Sequence, residues 1–321
     1  MSLISNEHLQ NEAKAYEWIE SKIWPHGPQC PHCFEMNRVS KMKGKATRLG
    51  LYKCYSCRKQ FRVTVGTIFE KSHVPLHLWL QAIYLIAGSK KGISANQLHR
   101  TLGVTLKTAW FMGHRIREAM RHGSLAPPMG GEGKTVEADE TIFGRADTHP
   151  KGPSRKKKNT FKGSVHKNVV MSLVERDGGV RSYHVTGSTA NELVPIIKKN
   201  VAHETAMMTD RGPWYWQMND DGTFVSHDMV DHSADEYVRY EDGRQPIHTN
   251  TVEGYFSLFK RGMRGTYQHC REKHLHRYLA EFDFRYNNRV KLGVDDEERA
   301  TRIVKGVQGR RLTYRTPDRV S

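Results

Sequence analysis

The chain has 321 residues, with 51 Lys and Arg against 34 Asp and Glu, for a formal net charge of +17. That length provides for two or three domains whose cores need no disulfide support, and so strong a positive balance favours polyanionic partners through phosphate neutralisation and counterion release. The first twenty residues hold no apolar core of signal-peptide type, and the most apolar run, residues 78–87, is too short to span a bilayer. The expectation is a cytoplasmic protein with no membrane association, working on nucleic acid.

Four of the five cysteines come first in the argument. Cys30 and Cys33, then Cys54 and Cys57, form two C-x-x-C knuckles separated by twenty residues. In a reducing compartment such pairs are explained by metal rather than by disulfides, and the spacing fits one structural Zn²⁺ held by four thiolates. Residues Phe61, Val63 and Val65 alternate after the second knuckle and predict a strand, as in a ribbon built on hairpins. Cys270 stands alone and reads as a free thiol.

Leu76, Trp79, Leu80, Ile83 and Tyr84 then recur at helical spacing up to Gly88. Ser94 is placed to cap a short helix bearing Leu98; Gly103 supplies a tight turn; Thr105 opens another helix with Ala109, Met112 and Ile116. This is the pattern of a helix-turn-helix, whose second helix lies in the major groove. Lys107, Thr108, His114, Arg115 and Arg117 are the residues expected near DNA, the alternative being a helical bundle with a solvated basic face. Residues 123–134, rich in Gly and Pro, read as a linker that does not pack.

Beyond it, residues 135–138 predict a short strand ending in Asp139. The run at residues 151–162 is strongly positive, and its Arg155, Lys156, Lys157 and Lys158 are candidates for a phosphate backbone. Residues 168–175 and 180–186 predict two strands about a turn at Arg176, Asp177, Gly178 and Gly179. Thr189 and Glu192 have the spacing of a capping box for a helix that must tolerate Pro195. Residues 205–209 predict a strand ending in Asp210. Trp214, Tyr215 and Trp216 are read as core aromatics or, alternatively, as a surface for an unpaired base. Glu137 and Glu140, flanking Asp139, are expected on the strand face opposite it. The HDMVDH string at residues 227–232 is set aside as a second metal site, because no zinc-hydrolase helix motif accompanies it.

Finally Asn250 and Glu253 open a helix-like stretch, with Lys260 two helical turns on and Arg261 beside it. Three acids from such distant positions, Asp139, Asp210 and Glu253, suit two hard divalent cations and in-line attack at phosphorus. Strand with acid, hairpin, helix, strand with acid, then helix with acid is the order of a ribonuclease-H-like α/β domain.

The chain resembles the ISXO-like transposases of bacterial insertion sequences, a DDE family in which a zinc ribbon precedes the catalytic domain. The resemblance is carried by CPHC with CYSC, VEADETIFGR, the DRG after a short strand, HTNTVEGYFSLFKRGMRGTYQH and HLHRYLAEFDFRYNNR, and spans Trp18 to Arg289. It implies an insertion-sequence transposase that binds terminal inverted repeats and performs metal-dependent strand cleavage and transfer. Asp139 and Asp210 match its first two catalytic acids, and either Glu253 or Asn250 its third member; Glu253 is preferred as the anionic ligand. Lys260 matches a lysine placed on the DNA backbone near the scissile phosphate.

The implied cofactors are two Mg²⁺ ions, with Mn²⁺ as substitute. The implied partners are element-end and target DNA and, in synapsis, a second copy or more of the chain. The resulting division is an N-terminal segment and zinc ribbon (1–68), a helix-turn-helix region (69–122), a linker (123–134), a ribonuclease-H-like DDE domain (135–292) and a basic C-terminal tail (293–321). A catalytically inert transposase-derived regulator and a structure-selective nuclease on the same fold are the alternatives.

Overall fold

A computed structural model describes residues 5–121, 123, 126–144, 167–218 and 222–313. The chain divides into two compact units, one of Met1–Arg121 with Asn288–Ser321 and one of His122–Asn287.

The first unit begins with α1 (Glu7–Gln10) and α2 (Glu12–Ile23). The Asn11 side chain caps α2 by accepting the Ala13 and Lys14 N–H groups at 2.8 and 3.1 Å, satisfying two of the helix's orphan donors. Strands β1 (Val39–Lys41), β2 (Tyr52–Cys54) and β3 (Gln60–Phe61) follow as a small antiparallel sheet in that order. Before β2, Gly50 has φ +66°, and a Cβ there would lie 2.4 Å from the Tyr16 ring, so only glycine fits. The strand expected through Val63 and Val65 stops at Phe61. Val65 donates its N–H to Arg62 O and Thr67 to Thr64 O, which folds these residues into consecutive turns.

Helices α3 (Leu76–Gly88), α4 (Ala95–Leu102) and α5 (Leu106–Ala119) form as the sequence predicts. Ser94 Oγ accepts the Gln97 N–H, Thr105 Oγ1 accepts the Thr108 N–H, and Gly103, at φ +67°, closes α4 in the left-handed conformation. Leu98, Leu102, Ala109, Met112 and Ile116 are all buried.

The second unit is built on a five-stranded sheet of β4 (Thr135–Phe143), β5 (Asn168–Glu175), β6 (Val180–Val185), β7 (Ala206–Asp210) and β8 (Ser226–Val230), in the order β6-β5-β4-β7-β8. The first three are antiparallel neighbours, and β7 and β8 run parallel to β4. One face is covered by α6 (Ala190–Asn200), whose Leu193, Val194 and Ile197 pack with Val136, Ala138, Met171 and Met207. The other is covered by α7 (Asn250–Gly262) and α8 (Glu272–Asn287), where Val252, Tyr255, Phe259, Leu279 and Phe282 pack with Phe143, Val170 and Val174. Even-numbered residues of β4 therefore face α6 and odd-numbered ones face α7.

Three expectations change here. The strand holding Asp139 is nine residues long, because β5 pairs with it from Val136 to Phe143; Asp139 stands at its centre, opposite Ser172, not at its end. The second half of the supposed linker packs: Met129 is buried, gives its N–H to Asn200 O at 2.7 Å and accepts from Ala202. The Thr189 capping box does not close, because the Glu192 carboxylate takes the Thr186 hydroxyl instead.

The chain then returns to the first unit as α9 (Asp296–Lys305), so residues 293–321 are not simply a basic tail. Ala300, Ile303, Val304 and Val307 are buried, and α9 packs against α3. Arg299, also buried, donates to the carbonyls of Ala87, Val294 and Asn288.

Candidate active site and metal centre

In the first unit the four cysteines converge. Their sulfurs lie within 4.8 Å of one another, with Cys30 to Cys57 at 3.7 Å and Cys33 to Cys54 at 3.6 Å. Thiolates at about 2.3 Å around a tetrahedral zinc are about 3.8 Å apart, so the donor set fits the ion in type and in spacing. Backbone N–H groups of Cys57 and Ser56 aimed at the Cys54 sulfur lower its thiol, while hydrogen bonds from the neighbouring cysteines raise that of Cys33, so the four sulfurs share their protons in the absence of a metal.

The second unit gathers the carboxylates. Ala138 and Thr209 are register partners on the parallel strands β4 and β7, so the next residues, Asp139 and Asp210, stand side by side. Glu253 comes from the first turn of α7. Asp139 and Glu253 line one open cleft of about 740 Å³ with Glu140, Ser257, Lys260, Arg261 and Arg264. Asp210 sits on the neighbouring strand, outside that lining, as does the exposed Asn250.

Electrostatics link the group. Burial pushes the Asp139 carboxyl well above its usual range, and the charges of Glu140, Asp210 and Glu253 push in the same direction. Burial also raises Asp210, with Glu253 adding to it and the His232 imidazole opposing. Across the cleft, burial and the Arg264 charge lower the Lys260 ammonium, while Asp139 works against them. The cluster thus has more negative charge than the protein compensates, and its donors are hard oxygens, the set a divalent cation prefers. Among the described residues only the cysteines bring three or more ligand atoms within 4.8 Å. Asp139, Asp210 and Glu253 do not come within that spacing of one another.

Glu137 was expected to face away from Asp139. Two positions along a strand restore the same face, and the Glu137 carboxylate does point to α7. Fully buried, it accepts the Thr251 and Val252 N–H groups at 2.8 and 3.0 Å and the Thr251 hydroxyl at 2.8 Å, and pairs with Arg176 Nε at 2.7 Å. The helix that holds Glu253 is therefore pinned by its N-terminus to the strand that holds Asp139. Glu140 does face the other way, where it accepts the Tyr215 hydroxyl at 2.6 Å; burial and then Asp210 raise it to about 7.

His232, set aside with the HDMVDH string, lies beside the site. Its Nε2 is 3.3 Å from Glu253 Oε1 and 3.2 Å from Thr249 Oγ1. Its sequence signal was its position, two residues past the end of a strand adjacent to the one that ends in Asp210. On the same face of the sheet, beside β6, a further buried acid, Asp283, accepts the Ser182 N–H and hydroxyl and the Tyr255 hydroxyl at 2.6–2.8 Å; burial raises it to about 6.

The basic residues divide. Lys260 and Arg261 line the cleft, Lys107 is exposed on the first turn of α5, and Thr108 is half-buried. Arg115 and Arg117, expected near DNA, are buried at 6% and 4% exposure. Arg115 is engaged by the carbonyls of Ile68, Glu70 and Leu312. His114 is buried under Trp110. Arg155, Lys156, Lys157 and Lys158 lie outside the described residues. No helix among the described residues is long and apolar enough to cross a membrane.

Comparison with known proteins gives two family matches. Residues 130–287 match the ISXO2-like transposase domain and residues 10–60 the transposase zinc-ribbon domain. An uncharacterized protein in the transposable element ISH50 of Halobacterium salinarum is 25% identical over 283 residues, covering 86% of this chain and 90% of that one. The crystal structure of a pre-cleavage Mos1 transpososome aligns over 93% of this chain and 90% of that one at 12% identity, with a TM-score of 0.25, too low to bear on the fold.

Proposed function

Because this chain belongs to the ISXO2-like transposases, we propose that it binds the ends of an insertion sequence, cleaves DNA there and transfers the freed strand to a target. The observation that carries this reading is the meeting of Asp139 and Glu253 with Lys260, Arg261 and Arg264 in one cleft, with Asp210 on the adjacent strand. We read the five-stranded sheet with its three acids as a ribonuclease-H-like domain, and α4 with α5 as a helix-turn-helix.

Asp139, Asp210 and Glu253 would hold two Mg²⁺ ions, which supply activation of a water or 3′-hydroxyl and stabilisation of the departing oxygen. The protein's own residues do the rest. Glu137 and Arg176 fix the helix that positions Glu253, and Lys260 with Arg261 and Arg264, further along that helix and just past its end, seats the phosphate backbone. Glu253 is favoured over Asn250 because it lines the cleft and is anionic. The ribbon, closed by one Zn²⁺ on Cys30, Cys33, Cys54 and Cys57, and the α5 helix through Lys107 and Thr108 would recognise the terminal repeats. The charged run at residues 155–158 is assigned to DNA by its charge. Two ends imply at least two copies of the chain in synapsis.

The test is a strand-transfer assay with Mg²⁺ on labelled DNA bearing the flanking ends of the native locus. Metal-dependent joined product supports a transposase. Cleavage of branched or hybrid substrates without joining points to a nuclease, and tight binding with neither reaction under Mg²⁺ or Mn²⁺ points to an inert regulator.

A further inference from the structure

After β8 the chain builds a braced segment, residues 231–247, beside the third acid. His232, on this segment, contacts Glu253 at 3.3 Å. The Tyr237 ring lies 5.5 Å from the His232 imidazole, centroid to centroid, and is 57% exposed. The segment that carries this ring is held by hydrogen bonds on both sides of it. Arg239 and Ile247 exchange two backbone hydrogen bonds at 2.9 Å, Arg239 binds Glu236 at 2.8 Å, and Glu236 accepts the Asp231 N–H at 3.0 Å.

We propose that Tyr237 is a stacking platform for an unpaired nucleobase next to the phosphate held by the acid cluster, an inference that rests on the strand-cleavage reading above. Two observations and one physical argument converge on it. The ring is one imidazole away from a carboxylate of the cluster, so whatever it covers adjoins the reacting phosphate. The cleft that Glu253 lines carries Lys260, Arg261 and Arg264, which favour a polyanion, whereas the exposed Arg211 is ion-paired to Asp231 at 2.8 Å. In a duplex the base faces are stacked against each other, so an aromatic face at this place meets a base only where pairing has been lost. In the aromatic run at 214–216, Tyr215 is fully buried with its hydroxyl on Glu140 and Trp214 packs against the core; Trp216 is 54% exposed, and Tyr237 is preferred to it for its link through His232 to Glu253. Tyrosine also offers a large rigid face at low conformational cost.

The test is fluorescence anisotropy in Ca²⁺ with two labelled duplexes bearing the flanking ends of the native locus, one blunt and one with a three-nucleotide unpaired thymidine extension. Cleavage of both in Mg²⁺ is followed in parallel. Wild type and Tyr237→Phe are expected to bind the extended duplex about tenfold more tightly than the blunt one, and Tyr237→Ala to lose that preference. Circular dichroism melting checks that the alanine variant is folded, and Tyr237→Trp, which keeps a stacking face, is expected to restore the preference. A preference that survives in Tyr237→Ala, or is absent from a wild type that cleaves, overturns the stacking assignment alone. A wild type that cleaves neither duplex in Mg²⁺ or Mn²⁺ overturns the strand-cleavage reading.

Discussion

The Glu137 carboxylate and the Val252 backbone N–H meet at 3.0 Å, tying the strand of the first acid to the first turn of the helix that bears the third. An anion at a helix N-terminus is favoured both by the unpaired N–H groups and by the helix dipole. Here Arg176 completes the neutralisation in a place without solvent.

Glu137→Ala is therefore expected to cost about 1–3 kcal/mol of stability, since it removes the buried acceptor of the Thr251 and Val252 N–H groups and of Arg176 Nε, while Arg176 keeps the Pro246 and His248 carbonyls. Urea denaturation measures this. Glu137→Gln, which keeps the shape and part of the hydrogen bonding, should be milder in stability yet slower in strand cleavage. Equal stability of all three proteins would refute the tether.

Each purified chain should contain one zinc by elemental analysis. Cys30→Ser and Cys54→Ser should lose it, and a strong chelator should melt the ribbon, because structural zinc contributes on the order of 10 kcal/mol to folding such a module. A ribbon whose melting is unchanged by chelation would contradict the assignment.

Asp139→Asn, Asp210→Asn and Glu253→Gln are each expected to slow metal-dependent strand cleavage by about 10³-fold or more, and Asn250→Ala by less than about tenfold. The reverse ranking of the last two would move the third ligand to Asn250.

Acidity should act on the Mg²⁺-free protein in a definite direction. Asp139, Asp210, Glu140 and Asp283 all have raised pKa values, the last two to about 7 and about 6. Raised acids bind protons more tightly folded than unfolded. Their contribution is complete below the unfolded value of about 4 and is lost as pH rises through the folded values. In Mg²⁺-free buffer without chelator, so that the zinc stays in place, Tm should fall from pH 4.5 toward pH 7.5. Mg²⁺ should raise Tm more at pH 7.5, where it need not displace protons. A Mg²⁺-free Tm that rose over that interval would contradict the raised values.

Much of this was legible in local sequence. Thiolate spacing, the Ser94 and Thr105 caps, the Gly103 turn, Asp210 at a strand end and Glu253 in a first helical turn all depend on neighbours within a few positions. What was hidden depends on distant partners. Arg115 and Arg117 look like groove-facing cations until the carbonyls that bury Arg115, from residues as far away as Leu312, are known. Glu137 was misplaced by a parity slip that the nine-residue strand makes plain. Helix α9 was masked by its charges, with buried Ala300, Ile303 and Val304 among six acidic and basic residues in Asp296–Lys305.

The return of α9 to the first unit also bears on how the protein is made. The apolar face of α3 receives α9 only after residues 122–287 have been synthesised. On the ribosome, the unit holding the zinc ribbon and the helix pair is thus completed last, although its residues emerge first. A chain cut short within the acid-bearing unit lacks α9, and with it the buried Ala300, Ile303 and Val304 that complete the packing of the first unit against α3.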